Sequence, residues 1–208
     1  GIDRDKNNIQ DYKMKYSRLV QRRIESNKKL VDALQEDYSK LNNIRFDLGY
    51  SKEHSKGVTL EQANEDLRKF LSHRRNNSIF EHNIGYTFIK EYTKDKGVHI
   101  HALLMFDGQK VQKSSFKADE LGKHWVESVT DGNGTYHNCH RNNYKNNGIG
   151  MLEHNDVEKR ENLDKAMEYL CKDTQSIQSL SDNKKDRAMT RSTIPKKKKE
   201  NIGRPRKK

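Results

Sequence analysis

The sequence has little of what several large classes of protein require. Its 208 residues include only two cysteines, Cys139 and Cys171, too few for the disulfide framework of a small secreted domain. The residues AVILMFWYC make up 31% of the chain, and the longest near-continuous apolar run, 98–106, already contains two histidines. A membrane-spanning helix needs about 20 apolar residues, and the N-terminus has no signal-peptide core. We therefore expect a soluble, cytoplasmic protein.

Positive charge, by contrast, is abundant and unevenly distributed. The chain has 42 Lys and Arg against 30 Asp and Glu, and residues 179–208 hold 12 of the basic groups but only 3 of the acidic ones. That segment also has both prolines and no aromatic residue, so it predicts a disordered basic tail. Its end resembles part of an AT-hook, and we expect it to bind DNA phosphates or the minor groove. The residues assigned to this contact are Lys196, Lys197, Lys198, Lys199, Arg204 and Arg206.

Hydrophobic periodicity divides the rest of the chain into helices and strands. An amphipathic pattern predicts a basic N-terminal helix over residues 11–40, and similar patterns predict the helices further along the chain. The predicted strands are mostly linked as hairpins, which indicates an α+β fold: a single antiparallel sheet of four to five strands flanked by helices. We therefore divide the chain into an N-terminal helix (1–40), a catalytic or binding domain (41–178) and the tail (179–208). The predicted elements are helix 11–40, strand 43–50, helix 60–76, strands 85–92 and 98–106, helix 116–129, strand 148–152 and helix 156–173.

Two histidines in one strand are the first feature that composition does not explain. His99 and His101 are separated by one residue, and side chains at i and i+2 of a strand project from the same face. Their Cα atoms are then about 7 Å apart, a spacing at which two imidazoles can chelate one divalent ion. The alternating apolar residues of strand 98–106 form the opposite face, so we expect the histidines to lie on a face free of core packing.

Glu91 supplies a third candidate ligand. It precedes His99 by eight residues, and across a short hairpin turn its carboxylate can fall on the face that carries both histidines. Two imidazoles and one carboxylate make a mixed N/O ligand set suited to Mn²⁺ or Mg²⁺. The alternative is that Glu91 is an ordinary solvent-exposed carboxylate on a strand.

Tyr169 and Lys172 form the second candidate constellation. They lie three residues apart near the end of the last predicted helix, so their side chains are neighbours on its surface. A lysine beside a tyrosine favours the phenolate, which is the nucleophilic form. The expected buried stripe Leu163, Met167 and Leu170 would hold Tyr169 against the sheet. The simpler interpretation is a tyrosine at the rim of the core with a lysine stem packed over it.

Together these residues resemble the HUH endonucleases, and more closely the rolling-circle replication initiators of inoviruses and satellite phages. The motif order matches: a strand ending in a carboxylate, a strand with hydrophobic-His-hydrophobic-His, and Tyr-x-x-Lys on a helix. The resemblance extends over roughly residues 40–178 and implies an HUH/RRM-like fold for this domain. Further matching segments are RFDLGY (45–50), YHNCH (136–140), GIGM (148–151) and YLCKD (169–173).

The resemblance implies a function. His99, His101 and Glu91 match the metal ligands, Tyr169 the nucleophile and Lys172 its companion, with Mn²⁺ or Mg²⁺ as cofactor. The substrate would be single-stranded or hairpin origin DNA, which the enzyme nicks to leave a 5′-phosphotyrosine and a free 3′-OH primer. No Gly-x-x-x-x-Gly-Lys-Ser/Thr motif is present, so a helicase and a polymerase would be supplied in trans. The protein would act in the bacterial cytoplasm or nucleoid and would be encoded by a phage or a mobile element.

Other interpretations stay open at this point. A non-catalytic DNA-binding protein explains the charge equally well, and among HUH enzymes a transposase or relaxase is also compatible with the motifs. His137, Cys139, His140 and Cys171 form a candidate structural zinc site.

Three further points are undecided by the sequence. Tyr136 or Tyr144, both in a Gly- and Asn-rich segment, is a candidate nucleophile in place of Tyr169. Asp47 alternates onto the polar face of the first strand, and its approach to the metal is open. The origin sequence and the oligomeric state are open as well.

Overall fold

The computed structural model describes residues 15–172, 174, 177 and 188–197. This part of the chain contains both helices and strands, and a five-residue π-helical segment, Trp125–Val129, directly continues one of the helices. In chain order the elements are α1 (Arg18–Asp37), β1 (Lys40–Tyr50), α2 (Lys52–Ser55), α3 (Leu60–Ser72), β2 (Asn83–Thr93), β3 (Gly97–Asp107), α4 (Ser114–His124), β4 (Gly134–Asn138), β5 (Gly150–Glu153), α5 (Val157–Cys171) and β6 (Met189–Arg191).

The strands form one antiparallel sheet flanked by helices, which confirms the predicted α+β class. Its order is β4-β1-β3-β2-β6, and β5 also pairs with β1. The central strand β3 lies between β1 and β2 along nearly its whole length. Strands β4 and β5 pair with opposite ends of β1, with residues 46–50 and 40–43 respectively. The sheet thus brings the three longest strands together at its centre.

The first face of the sheet carries the larger hydrophobic core. Helices α3 and α4 cover it, and α3 begins as predicted, with the Thr59 hydroxyl accepting from the Gln62 backbone N–H at 3.1 Å. The buried Trp125 belongs to this core, and its indole N–H donates to the Gly49 carbonyl at 3.1 Å. The strand residues that point into this core include Ile44, Phe46, Leu48, Phe88, Ile100, Ala102, Leu104 and Phe106.

The second face, which bears His99 and His101, is covered over much of its length by α1 and α5. Leu103 and Met105, further along β3 on the histidine side, are buried against these two helices. The expectation of a face free of core packing is therefore wrong: the histidines lie at the end of a second core. Helix α1 is an integral part of this domain, because Val20 and Ile24 pack on Ile89 of the sheet.

Two strands were not predicted from the sequence. Strand β4 lies in the Gly- and Asn-rich segment, and β6 lies within the segment 179–208 that was expected to be disordered. Strand β6 pairs with β2, and the Ala188 carbonyl before it accepts from the Lys90 backbone N–H at 2.8 Å. The tail prediction is therefore wrong for residues 188–197, while 179–187 and 198–208 lie outside the described residues. No helix of the described part is long and apolar enough to cross a membrane.

Candidate metal site

The strand register brings the three predicted ligands together. Alternation along β3 puts His99 and His101 on the same face, and Glu91 of β2 pairs directly with His99. The hairpin turn that sets this register ends at Gly97, whose φ of +68° disfavours side chains. A Cβ there would also lie 2.8 Å from the Ser55 carbonyl oxygen. The turn therefore requires glycine, and it fixes the pairing that positions Glu91.

Both imidazoles converge on one carboxylate oxygen. Glu91 Oε2 lies 3.1 Å from His99 Nε2 and 2.7 Å from His101 Nε2. One ligand atom from each of the three residues lies within 4.8 Å of the others, and all three side chains are half-buried. A metal ion binds the deprotonated form of an imidazole nitrogen, so an ion here would take the place of any proton between Nε2 and the carboxylate. The group of Glu91, His99 and His101 could hold a metal ion.

Asp47 fixes the orientation of His101 from the side away from Glu91. Its Oδ1 lies 2.7 Å from His101 Nδ1, because Asp47 and His101 are register partners in β1 and β3. With Nδ1 bound to Asp47, Nε2 is the nitrogen directed at the metal position. Asp47 therefore contacts a ligand and is not itself part of the three-residue group, which answers the question the sequence left open.

Arg45 in turn holds Asp47. Its guanidinium Nη1 lies 2.6 Å from Asp47 Oδ1 and 2.9 Å from the carbonyl oxygen of Phe46. Sequence reasoning missed this residue, although its position two residues before Asp47 on the same face of β1 was a usable signal. Arg45, Asp47 and His101 thus form a continuous chain of contacts that ends at the metal position.

The site keeps its carboxylates ionised. Burial alone would raise the pKa of Asp47, but the hydrogen bond to His101 and the charge of Arg45 outweigh it and hold that pKa well below its ordinary value. Burial likewise opposes the charged form of Glu91, yet the hydrogen bond to His101 and the charge of His99 lower the pKa of Glu91. Both carboxylates are therefore anionic at neutral pH, as binding of a divalent cation requires.

The candidate zinc site is not formed. Cys139 is directed at Asp47, with 3.5 Å from Sγ to Oδ2, whereas Cys171 is buried against α1, 3.6 Å from Asn27 Nδ2. His140 Nε2 accepts from the Arg45 backbone N–H at 2.9 Å and has no free lone pair for a metal. Across residues 15–172, 174, 177 and 188–197, the one group of three or more His, Cys, Asp and Glu with metal-ligand spacing is Glu91, His99 and His101.

Tyr169 and Lys172 lie at the C-terminal end of α5, next to the metal face. The adjoining Leu170 and Cys171 pack on Ile89, the register partner of His101. Tyr169 itself is 65% exposed, because the fully buried stripe consists of Leu163, Met167 and Cys171 and not of the predicted trio. The Lys172 ammonium lies 4.2 Å from the centre of the Tyr169 ring. The two residues are thus neighbours as predicted, but the ring is directed toward solvent and not held against the sheet.

Of the two rival tyrosines, only one lies near this face. Tyr136 packs on the first core, where its hydroxyl donates to Asp119 at 3.1 Å and its ring occupies the space beside Gly122. Tyr144 is 45% exposed and its hydroxyl accepts from Asn142 at 3.1 Å. It also interacts electrostatically with Cys139, which contacts Asp47. Tyr136 therefore cannot reach the metal position without leaving its core.

The predicted DNA contacts of the tail are described only in part. Lys196 and Lys197 are exposed and follow β6 closely. Lys198, Lys199, Arg204 and Arg206 lie outside the described residues.

Comparison with known proteins gives one match. The family model of the YagK/YfjJ C-terminal domain matches residues 3–188, nearly the whole chain. No curated protein matches, and no solved structure matches.

Proposed function

The chain belongs to the YagK/YfjJ C-terminal domain family, and we propose that it is a metal-dependent HUH endonuclease that initiates rolling-circle replication. Its substrate is single-stranded or hairpin origin DNA. The observation that carries the proposal is the convergence of His99 and His101 on one oxygen of Glu91, on the face of an antiparallel sheet. This is the ligand arrangement that the motif order predicted.

The resemblance implies Mn²⁺ or Mg²⁺ as the ion. Two imidazole nitrogens and one carboxylate oxygen would leave further coordination positions for water and phosphate. A bound ion would supply Lewis-acid polarisation of a non-bridging oxygen of the scissile phosphate. Glu91 brings negative charge to the site and Asp47 keeps His101 in the tautomer that ligates through Nε2.

The covalent step belongs to Tyr169. Its phenolic oxygen attacks phosphorus, a new O–P bond forms, and the bond from phosphorus to the 3′ oxygen breaks. The phenolic proton is lost to solvent, and the departing 3′ oxygen gains one to become a free 3′-OH. Because the phosphodiester energy is kept in the 5′-phosphotyrosine, attack by a 3′-OH can rejoin the strand. Lys172, 4.2 Å from the Tyr169 ring, steadies negative charge on the phenolate or on the phosphate.

Two other functions compete with this one. A transposase or relaxase would use the same group and the same tyrosine on a different DNA. A DNA-binding protein without catalysis would need neither, and it leaves the convergence of Glu91, His99 and His101 unexplained. For a replication initiator, helicase and polymerase would be supplied in trans.

The test is capture of a covalent adduct. The full chain is incubated with a randomised pool of single-stranded oligonucleotides labelled at the 3′ end, because the enzyme would retain the fragment downstream of the nick. We expect a labelled band on a denaturing gel that requires Mn²⁺ or Mg²⁺ and vanishes with a chelator. Sequencing of the captured DNA then identifies the preferred site, and peptide mass spectrometry identifies the modified tyrosine.

Variants separate the enzyme from the binding protein. His101→Ala and Tyr169→Phe should give no adduct while retaining most DNA affinity, which comes chiefly from phosphate contacts. Tyr136→Phe is the matched control, since Tyr136 lies on the other face of the sheet. An adduct that survives Tyr169→Phe reassigns the nucleophile, and DNA binding with no adduct in any variant or metal leaves the non-catalytic function.

Lys172 has its own prediction. Lys172→Ala should slow adduct formation without abolishing it, because a bound metal supplies most of the charge stabilisation. Lys165→Ala, an exposed charge about two turns earlier on α5, is the matched control for loss of a general positive charge. The adduct is followed in single-turnover time courses, and equal slowing by both substitutions would contradict a specific role for Lys172.

A further inference from the structure

At the edge of the sheet that β4 forms, the chain exposes aromatic side chains that the proposed reaction does not use. Tyr144 is 45% exposed and Phe116, on the first turn of α4, is 63% exposed. Exposed aromatic rings of this kind offer flat faces on which unpaired bases can stack. Both lie along the edge of the sheet formed by β4 and the short 3₁₀ turn Cys139–Arg141 that follows it.

Hydrogen bonds attach Tyr144 to the metal face. Asn142 donates to the Tyr144 hydroxyl at 3.1 Å and pairs with His137 Nε2 at 3.0 Å. His137 is the register partner of Asp47, whose Oδ1 contacts the metal-facing His101. A second route leads from Tyr144 through Cys139 to Asp47. Tyr144 is thus held on a loop whose hydrogen bonds lead to His137, the strand partner of the residue that orients a metal ligand.

A second set of contacts joins this edge to Phe116. Arg141 forms an ion pair with Asp119 at 2.6 Å, and its side chain is still 64% exposed. Asp119 lies three residues after Phe116, so the two share a face of α4. Asn138 at the end of β4 donates to the Ser115 carbonyl at 2.9 Å, which fixes α4 to the strand. Phe116, Arg141 and Tyr144 are therefore on connected, preorganised elements.

The chemistry around these side chains favours nucleic acid as their partner. Residues 141–147 are all exposed and read RNNYKNN, with two basic residues, four asparagines and no acidic residue. The nearby carboxylate of Asp119 is already paired with Arg141. Aromatic rings and arginine planes stack on unpaired bases, and lysines follow the phosphates.

We propose that Phe116, Arg141 and Tyr144, here named the β4-edge surface, stack unpaired bases of single-stranded DNA where the strand passes around the β4 edge of the sheet. The inference rests on the proposed function for the identity of the substrate. It adds the route by which the strand passes from the metal position around the β4 edge of the sheet. In this role the ring of Tyr144 contacts the base, and its hydroxyl serves only to hold the ring in position.

The test measures binding without cleavage. Fluorescence anisotropy with labelled single-stranded oligothymidylate, in the presence of a chelator, gives Kd at several salt concentrations. We expect Phe116→Ala and Tyr144→Ala each to raise Kd about tenfold, within the range that one base stack contributes. Their salt dependence should match that of the original chain, whereas Arg141→Gln should reduce the slope of log affinity against log salt by about 1.

Matched variants separate stacking from other roles. Tyr144→Phe keeps the ring but loses the hydrogen bond from Asn142, so it should raise Kd much less than Tyr144→Ala. Val157→Ala removes an exposed apolar side chain elsewhere and should have no effect. Tyr144→Leu keeps an apolar side chain of similar bulk but has no ring, so it should raise Kd as Tyr144→Ala does. Thermal unfolding of each variant checks that the fold is intact. Loss of the covalent adduct in Tyr144→Phe would make Tyr144 the nucleophile and overturn its stacking role.

Failure of this inference is distinguishable from failure of the proposed function. If both alanine variants bind oligothymidylate normally while the adduct still forms, the β4-edge surface does not stack DNA, and a protein-docking role takes its place. If no adduct forms under any condition but the alanine variants weaken binding, the β4-edge surface is supported as a single-strand-binding site and the nuclease function is rejected.

Discussion

At the scale of single residues, the site depends on what lies behind the ligands as much as on the ligands themselves. His101 is held on both ring nitrogens, by Glu91 in front and by Asp47 behind. Arg45 contacts Asp47 at 2.6 Å, so the carboxylate cannot rotate away without losing an ion pair that is only 12% exposed on the arginine side. The metal position is therefore preorganised by a chain of three side chains on two neighbouring strands.

The first prediction concerns Asp47. Asp47→Asn keeps the size of the side chain but removes the charge that fixes the proton on His101 Nδ1 and that pairs with Arg45. We expect Mn²⁺ affinity to fall by about 10- to 100-fold, the usual effect of losing a carboxylate behind a histidine ligand. Isothermal titration with Mn²⁺ measures it, with the exposed Asp37→Asn as matched control. Unchanged affinity in Asp47→Asn would mean that His101 is oriented by other groups.

Residues within one hairpin could be predicted from the sequence, and residues across the sheet could not. His99, His101 and Glu91 follow from strand alternation and a short turn, which are local. Asp47 depends on the register of β1 against β3, a pairing of residues 54 positions apart that no local pattern sets. The exposure of Tyr169 was missed for a related reason, since the buried stripe of α5 is chosen by its packing on α1 and the sheet.

At the scale of elements, α1 is a structural part of the metal face. It was predicted as a separate basic segment because its exposed side is strongly charged, but its inner side packs on the sheet. Ile24 is 2% exposed and contacts the group that includes Ile89 and Cys171. Because Ile89 lies between the metal ligands and this core, α1 supports the strand that carries Glu91.

Removal of that packing should destabilise the whole domain. Ile24→Ala leaves a cavity under α1, and we expect the free energy of unfolding to fall by about 2–4 kcal/mol. Leu19→Ala, on a side chain that is 38% exposed on the same helix, should change it far less. Urea unfolding without metal compares the two. If both substitutions lower the free energy of unfolding only slightly, α1 is an appended helix and not part of the domain core.

The loop after β4 makes a separate, pH-dependent contribution. His140 is neutral and accepts a hydrogen bond from the backbone of Arg45, and burial together with the nearby charges of Arg45 and Lys159 lowers the pKa of His140 to about 4. An unfolded histidine titrates near pH 6.5. Between about pH 6.5 and 4 the unfolded chain therefore binds a proton that the folded chain does not, so stability falls as pH decreases through this window.

His140→Gln should flatten this pH dependence. The glutamine oxygen can still accept from the Arg45 backbone N–H, but it takes up no proton. Between about pH 6.5 and 4, the free energy of unfolding of His140→Gln should therefore fall less steeply than that of the original chain, by up to about 1 kcal/mol per pH unit. Exposed His154→Gln is the control, and His124, whose pKa is also lowered by burial, is present in both variants. Parallel pH profiles for the original chain and His140→Gln would rule out this contribution.

Two short edge strands, β4 and β6, were the elements that sequence patterns did not identify. Strand β4 has five residues in a segment rich in Gly and Asn, and β6 has three in a segment rich in charge. Neither has enough alternation to be recognised, and each forms because a long neighbouring strand offers unpaired backbone groups. The central strands β1, β2 and β3 carry strong alternation and were predicted close to their observed bounds.

At the scale of the whole molecule, basic charge and structure overlap within the last 30 residues. Strand β6 is bound to β2 by backbone contacts, including the Ser192 N–H to the Tyr86 carbonyl at 3.0 Å. It pairs with Thr87, Phe88 and Ile89, just before Glu91. The segment 198–208 follows it with six basic residues and one acidic residue. We therefore expect residues up to 197 to contribute to folding, and residues 198–208 to contribute only to DNA affinity. The boundary lies at residue 197 and not at the predicted residue 178.

Two truncations test that boundary. A chain ending at Lys197 keeps β6, so its thermal unfolding and Mn²⁺ affinity should match those of the full chain. Its DNA binding should weaken, and the slope of log affinity against log salt should fall by up to about 4, because as many as six phosphate contacts are lost at about 0.7 per contact on single strands.

A chain ending at Gln178 also loses the edge strand beside Glu91, and we expect a lower unfolding temperature together with weaker Mn²⁺ binding. If both truncations unfold like the full chain, β6 adds nothing to the sheet. If the chain ending at Lys197 keeps the full salt slope, its missing residues do not bind phosphate.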